Sequence, residues 1–110
     1  MVNIDNYKSR IKFEKISYVS NDFGGYTTTW AEVFTTWAQI SPLQGREAVE
    51  YRTIYPTAQY IIRIRYRHDI KFTMRIFYNN RYLNILGPPM DVNNLHEELV
   101  ILAEDLKSGQ

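Results

Sequence analysis

The chain has 110 residues, the length of one small domain. Hydrophobic residues make up 45% and charged residues 23%, a globular balance that excludes intrinsic disorder. Thirteen basic against twelve acidic residues leave a net charge of +1, which argues against bulk electrostatic capture of nucleic acid or membrane. The absence of cysteine excludes disulfides, thiolate zinc sites and cysteine nucleophiles. The longest strictly aliphatic run, residues 99–103, is too short for a membrane span. A polar start without an apolar signal core leads us to expect synthesis in the cytosol.

Nine Tyr, five Phe and two Trp suit pleated, half-buried surfaces. The class expected is therefore mainly β: a small antiparallel β-barrel or sandwich, since closure removes exposed edges. Residues 1–9 form a weakly patterned N-terminal arm. From Arg10 the pattern alternates through Ile11 and Phe13, slips, and resumes at Ile16 and Tyr18. This reads as a first strand with a bulge near Glu14 and Lys15. The run Asn21-Asp22-Phe23-Gly24-Gly25 is a turn. Residues 26–30 and 33–40 are rich in β formers, but both parities carry apolar side chains, so periodicity does not choose the inner face.

Ser41 and Pro42 are expected to end this strand. Residues 43–57 break the β rhythm. They read as a long functional loop, with room for a short helix over residues 46–52. Residues 58–67 are the clearest strand, with Tyr60, Ile62, Ile64 and Tyr66 on one face and Ile61, Arg63, Arg65 and Arg67 on the other. His68 and Asp69 suggest a turn, and residues 72–78 another strand. Asn79-Asn80 fits a two-residue hairpin loop. Residues 81–86 return, and Gly87-Pro88-Pro89 is expected to stop them. In the tail, Leu95, Leu99, Leu102 and Leu106 have helical spacing, but residues 99–104 also read as a buried strand, the reading we favour. Residues 107–110 are expected to be a flexible tail. The side chains of Trp37, Ile62, Ile64, Tyr66 and Ile76 are expected in the core, with Trp30 either there or anchoring an interface.

No catalytic constellation emerges. His68 and His96 lack a metal-binding spacing, no phosphate loop is present, and the acidic pairs Glu97-Glu98 and Glu104-Asp105 read as solvated faces. The chain is read as a non-enzyme without cofactor or metal. Charge is nevertheless organised. Residues 61–82 hold six cations against one anion, and residues 91–106 hold five anions and no cation. Three readings stand: solvated faces; unlike patches that join neighbouring copies into a ring; or an Arg63, Arg65, Arg67 stripe that, with Tyr60 and Tyr66, binds single-stranded nucleic acid as an OB-like module. Candidate assembly or channel contacts are Arg46, Glu47, Arg52, Arg63, Arg65 and Arg67. The candidate complementary edge is Asp91, Glu97, Glu98, Glu104 and Asp105.

Several segments taken together resemble the phage head–tail joining proteins, also called head-closure, stopper or head-tail adaptor proteins. The residues that carry the resemblance are Asp22-Phe23-Gly24-Gly25, Trp30, Trp37-Ala38-Gln39-Ile40, Pro42-Leu43 and Gly45-Arg46-Glu47. They continue as Ile64-Arg65-Tyr66-Arg67, Arg75-Ile76, residues 82–85 and residues 99–105. One departure is Gln59, where members of the family often carry His. The resemblance implies a small β-barrel with a long loop after the Trp-Ala strand. It implies a virion protein, made in the host cytoplasm, that forms a ring of twelve below the portal and its adaptor. That ring closes the exit for packaged double-stranded DNA and offers a surface to a tail-completion or tail protein, with no membrane partner. Residues 43–57 would then be unordered in the free protein and order on assembly. A tail terminator or other neck component is the alternative within phage biology.

Overall fold

The structure, a computed structural model, describes residues 7–106; the rest of the expected N-terminal arm and the tail 107–110 lie outside them. Six strands form one closed antiparallel barrel: β1 (Ser9–Ser20), β2 (Tyr26–Pro42), β3 (Tyr60–Arg65), β4 (Arg75–Tyr78), β5 (Arg81–Asp91) and β6 (Glu98–Asp105). Their order around the barrel is β1-β2-β3-β6-β5-β4. A helix, α1 (Gly45–Ile54), lies between β2 and β3. The expected β-barrel class is therefore observed.

The alternation predicted for β3 sets the inner face. Ile62 and Ile64 join Ile11, Phe13, Ala38, Ile76, Leu83, Ile85, Leu99 and Ile101 in the main core. Ala38 pairs with Ile64, which settles the parity of β2: Phe34, Ala38 and Ile40 turn inward and Trp37 turns outward. Trp37 is 50% exposed, which corrects its expected place in the core. Residues 99–103 are all buried because β6 is covered on both faces. Leu99, Ile101 and Ala103 face the barrel interior, while Val100 and Leu102 join a second cluster with Ile61, Leu43, Ala48 and Ala58. Double burial gives a continuous apolar run instead of alternation, which is why this segment also mimicked a helix.

Within residues 43–57 the short helix for which the sequence left room is present as α1. Gly45 takes φ +64 at the entry to α1, a backbone region open to glycine. Leu43 and Ala48 sink into the second cluster, with Tyr51 and Tyr55 packed against it. The Arg52 Nε donates to the Ala58 carbonyl at 2.9 Å. These contacts dock the short helix on β3, β5 and β6.

Several strand boundaries differ from expectation, among them β3, which spans Tyr60–Arg65 where residues 58–67 were expected. β4 begins only at Arg75, and Phe72 is 56% exposed. β2 runs through Ser41 and Pro42. β5 also runs through Gly87-Pro88-Pro89, because the ladder to β6 skips these residues, shifting register between Leu86 and Met90. Two prolines lack the N–H that a ladder needs, and a bulge accommodates them.

Asn79 and Asn80 close the β4–β5 hairpin at φ 51 and 62, as a two-residue loop with both centres left-handed requires. The Asn80→Val variant is expected to lose about 1–2 kcal/mol, the cost of forcing a branched L-residue into this region, whereas Asn80→Gly keeps full stability. Urea unfolding of the two variants checks this.

Candidate assembly surface

The first feature of the outer surface is a ribbon. The β1–β2 register shifts between Phe13 and Glu14, with Phe13 opposite Phe34 and Glu14 opposite Glu32. The extra residue is thus Val33 on β2, a bulge close to the expected place but on the other strand. β1 pairs with β4 only over residues 12–14, and β2 with β3 only over residues 38–42. Beyond Glu14, six residue pairs, from Lys15 with Ala31 to Ser20 with Tyr26, continue as two strands with both outer edges open. The molecule measures 51 × 27 × 26 Å, and this ribbon supplies the elongation. Its tip is the predicted turn, where the Asn21 Oδ1 accepts from the Phe23 and Gly25 amides at 2.9 and 3.0 Å. Ile16, Tyr18, Val19, Phe23 and Tyr26 are all exposed on it.

The ribbon is held at its base by a charge cluster. The bulge brings Glu14 to a position almost as buried as Phe13. The Arg75 Nε donates to the Glu14 Oε1 at 2.7 Å, and these side chains are only 14% and 11% exposed. The Arg75 guanidinium also lies 4.3 Å from the Trp30 ring and 3.8 Å from the Tyr82 ring. Stacking and a charged hydrogen bond together suit arginine's planar, weakly hydrated group. Trp30 is therefore half-buried at the root of the ribbon and not in the barrel core.

The two oppositely charged segments lie beside each other, because β3 pairs with β6. Arg63 reaches Glu98 at 3.5 Å, and Glu98 also accepts from the Tyr7 hydroxyl. Burial first, then this hydrogen bond, holds the Tyr7 phenol above its usual range. Arg81 lies 3.7 Å from Asp105, which also accepts from the Tyr60 hydroxyl at 3.1 Å. The Asn84 amide donates to Glu104 at 3.2 Å. Arg67 grips Asp69 with two bonds of 3.0 and 2.8 Å while lying 3.6 Å from the Phe34 ring. The hydrogen bond from Arg67 is the main reason the Asp69 carboxyl sits below its usual range. Asp91 accepts from the His96 amide at 3.0 Å, and the His96 ring contacts both Asp91 and Tyr66. The Glu97 carbonyl accepts from the Tyr66 amide at 3.0 Å.

Other candidate residues are left facing outward. Arg46 and Glu47 are exposed on the first turn of α1. Arg52, at its last turn, shares a cleft of about 500 Å³ with Glu104 and Asp105. Arg65 lies on the outer face of β3, and neither it, Arg46 nor Glu47 has an ion-pair partner among the described residues. A second cleft, of about 340 Å³, is lined by Tyr7, Thr36, Trp37 and Arg65, and the Arg10 guanidinium lies 5.3 Å from the Trp37 ring.

Sequence reading alone missed Glu14, Arg75, Tyr7 and the ribbon. The slip after Phe13 was the available signal for Glu14. Nothing local marks Arg75 as its partner across 61 positions.

Comparison with known proteins decides the family. The family model for phage head completion proteins matches residues 2–106. The chain belongs to the phage head completion protein family. The head–tail joining resemblance read from the motifs is thus shown, and with it a structural role in the phage virion. The head completion protein gp16 of Bacillus phage SPP1 is 27% identical over 93 residues, covering 84% of this chain and 85% of that protein. The solution structure of protein SF1141 from Shigella flexneri 2a superposes with a TM-score of 0.82 at 27% identity, covering 99% and 100% of the two chains. A chain from the virion of a native gene transfer agent particle shares the fold, with a TM-score of 0.59 at 16% identity over 90% of this chain and 94% of that one.

Proposed function

We propose that copies of this chain form a ring at the exit of the filled head, below the portal and its adaptor, that retains the packaged DNA and presents the surface on which the tail docks. The observation that carries this reading is the family match over residues 2–106. The unlike surfaces of the molecule support it: a projecting ribbon at one end, and a cleft and charged faces on the barrel wall. Neighbours in a ring meet through different patches, so each copy needs two. Helix α1 is the segment proposed to face the channel. It carries Arg46 and Arg52 on a short element with one buried residue, Ala48, and so is the part of the barrel wall best suited to shift on assembly. DNA contacts there would be to phosphate and would weaken with salt. Single-strand binding by an OB-like face is disfavoured because Tyr60 is tied to Asp105 and Arg81 and Tyr66 lies against His96, leaving neither ring free to stack on a base.

Electron microscopy of particles made without this chain tests the reading. Tailless heads that have lost their DNA, beside free tails, are the expected result. Stable DNA-filled heads without tails would move the protein further down the neck, and normal infectious particles would overturn a virion role.

A further inference from the structure

The tip of the ribbon and the Trp37 cleft are complementary, and among the described residues no other segment is seated in either. At the tip, Phe23 is 95% exposed beside an exposed Asp22 that has no cationic partner among the described residues. In the cleft, Trp37 and Tyr7 form apolar walls, Arg65 has no carboxylate partner among the described residues, and Arg10 sits beside Trp37. The cleft volume of about 340 Å³ admits an aromatic ring, given that a dry cavity of about 150 Å³ takes up benzene. An Asp22 carboxylate arriving with Phe23 would stand beside two cations.

The two features cannot meet within one molecule. They are separated along β2 by an extended run from Tyr26 to Trp37, roughly 35 Å at the usual strand rise.

We propose that the Asp22–Phe23 tip of one copy seats in the Tyr7–Trp37–Arg65 cleft of the next. The proposal rests on the ring reading above and adds the contact that builds the ring. It joins unlike patches head to tail, so its repetition closes into a ring or extends as a filament. The ribbon spans the reach required. Its six residue pairs extend about 20 Å, and the tip lies beyond them, against a barrel 26–27 Å across. A single knob and ion pair make a weak contact, and it becomes persistent only when copies are gathered side by side on a platform that raises their effective concentration. Premature closure in the cytosol is thereby avoided.

Because the chain has no cysteine, engineered pairs report the contact cleanly. Particles carrying Asp22→Cys, which keeps the Phe23 ring, together with Thr36→Cys are oxidised and run on a non-reducing gel. A ladder of cross-linked multimers is expected, at least about tenfold more abundant than from either single variant. If the chain is present in many copies per particle and the double variant gives no more cross-linking than the singles, the contact is overturned and the ring reading stands. If the chain is absent from particles, the ring reading itself falls. A disulfide between Ile4→Cys and Thr36→Cys of one chain in particles would show the cleft filled from within and would also overturn the contact. A second variant, Phe23→Ala, alters only an exposed side chain. It is expected to keep the wild-type urea midpoint and to lose infectious particles at least about tenfold; undiminished infectivity would contradict the proposal.

Discussion

Replacing Arg75 with Met is expected to destabilise the protein by about 3–5 kcal/mol, because it strands Glu14 as a buried charge without a partner. The geometry explains the size of the effect. Glu14 and Arg75 are nearly enclosed and 2.7 Å apart, and the guanidinium is covered by Trp30 and Tyr82. An exposed pair such as Lys12 with Glu32, at 3.7 Å, would cost at most about 1 kcal/mol to break. The double variant Glu14→Leu with Arg75→Met is expected to recover most of the loss, since replacing a buried ion pair by apolar groups is often neutral. Urea unfolding of the single and double variants measures both terms. Amide hydrogen exchange in Arg75→Met adds a local readout: protection is expected to fall first in β1 and β2 around the bulge. A loss below about 1 kcal/mol would mean that water solvates Glu14 in the variant and that the cluster does not hold the ribbon.

Gly87→Ala is expected to cost about 2–5 kcal/mol, from two independent sources. Gly87 has φ +73, where an L-residue is strained by about 1–2 kcal/mol. A Cβ there would also stand 2.2 Å from the Tyr55 hydroxyl oxygen and 2.6 Å from its Cζ, an overlap that overpacked sites accommodate at about 1–3 kcal/mol. Tyr55 lies just past the end of α1 and packs on the second cluster, so the clash pushes the helix off the barrel. The Tyr55→Ala background separates the sources: there Gly87→Ala is expected to cost only the backbone share. Equal costs in the two backgrounds would show that Tyr55 does not press on Gly87. Cleavage by trypsin after Arg46 and Arg52 gives a second measure, expected to quicken in Gly87→Ala.

Much of the barrel was legible because its strands obey simple rules. The alternation of residues 60–66 oriented β3, the Asn79-Asn80 pair fixed a hairpin, and Asn21 to Gly25 fixed the ribbon tip. The failures have physical causes. Trp37 was expected inside because large aromatics usually are, but register with β3 turned Ala38 inward instead. Pro88 and Pro89 suggested a stop, yet a bulge lets a strand pass through residues that cannot pair. Within residues 43–57 the helix gives only a weak signal because α1 buries little, and what it covers, Ile61, Val100 and Leu102, belongs to strands distant in sequence. The charged segments read as candidate edges of the molecule; barrel closure also sets β3 beside β6, so that Arg63 meets Glu98 within one chain, a neighbourhood that no local pattern encodes. Arg46, Glu47, Arg52 and Arg65 are among the outward-facing members of that candidate set.

The most direct measurement is electron cryomicroscopy of the head–tail junction in intact, DNA-filled particles that carry this chain. A ring of six-stranded barrels between the portal complex and the tail, with ribbons reaching from copy to copy and α1 toward the channel, is the expected result. A junction fully accounted for by other proteins, or this barrel found elsewhere in the particle, would contradict the head-closure role.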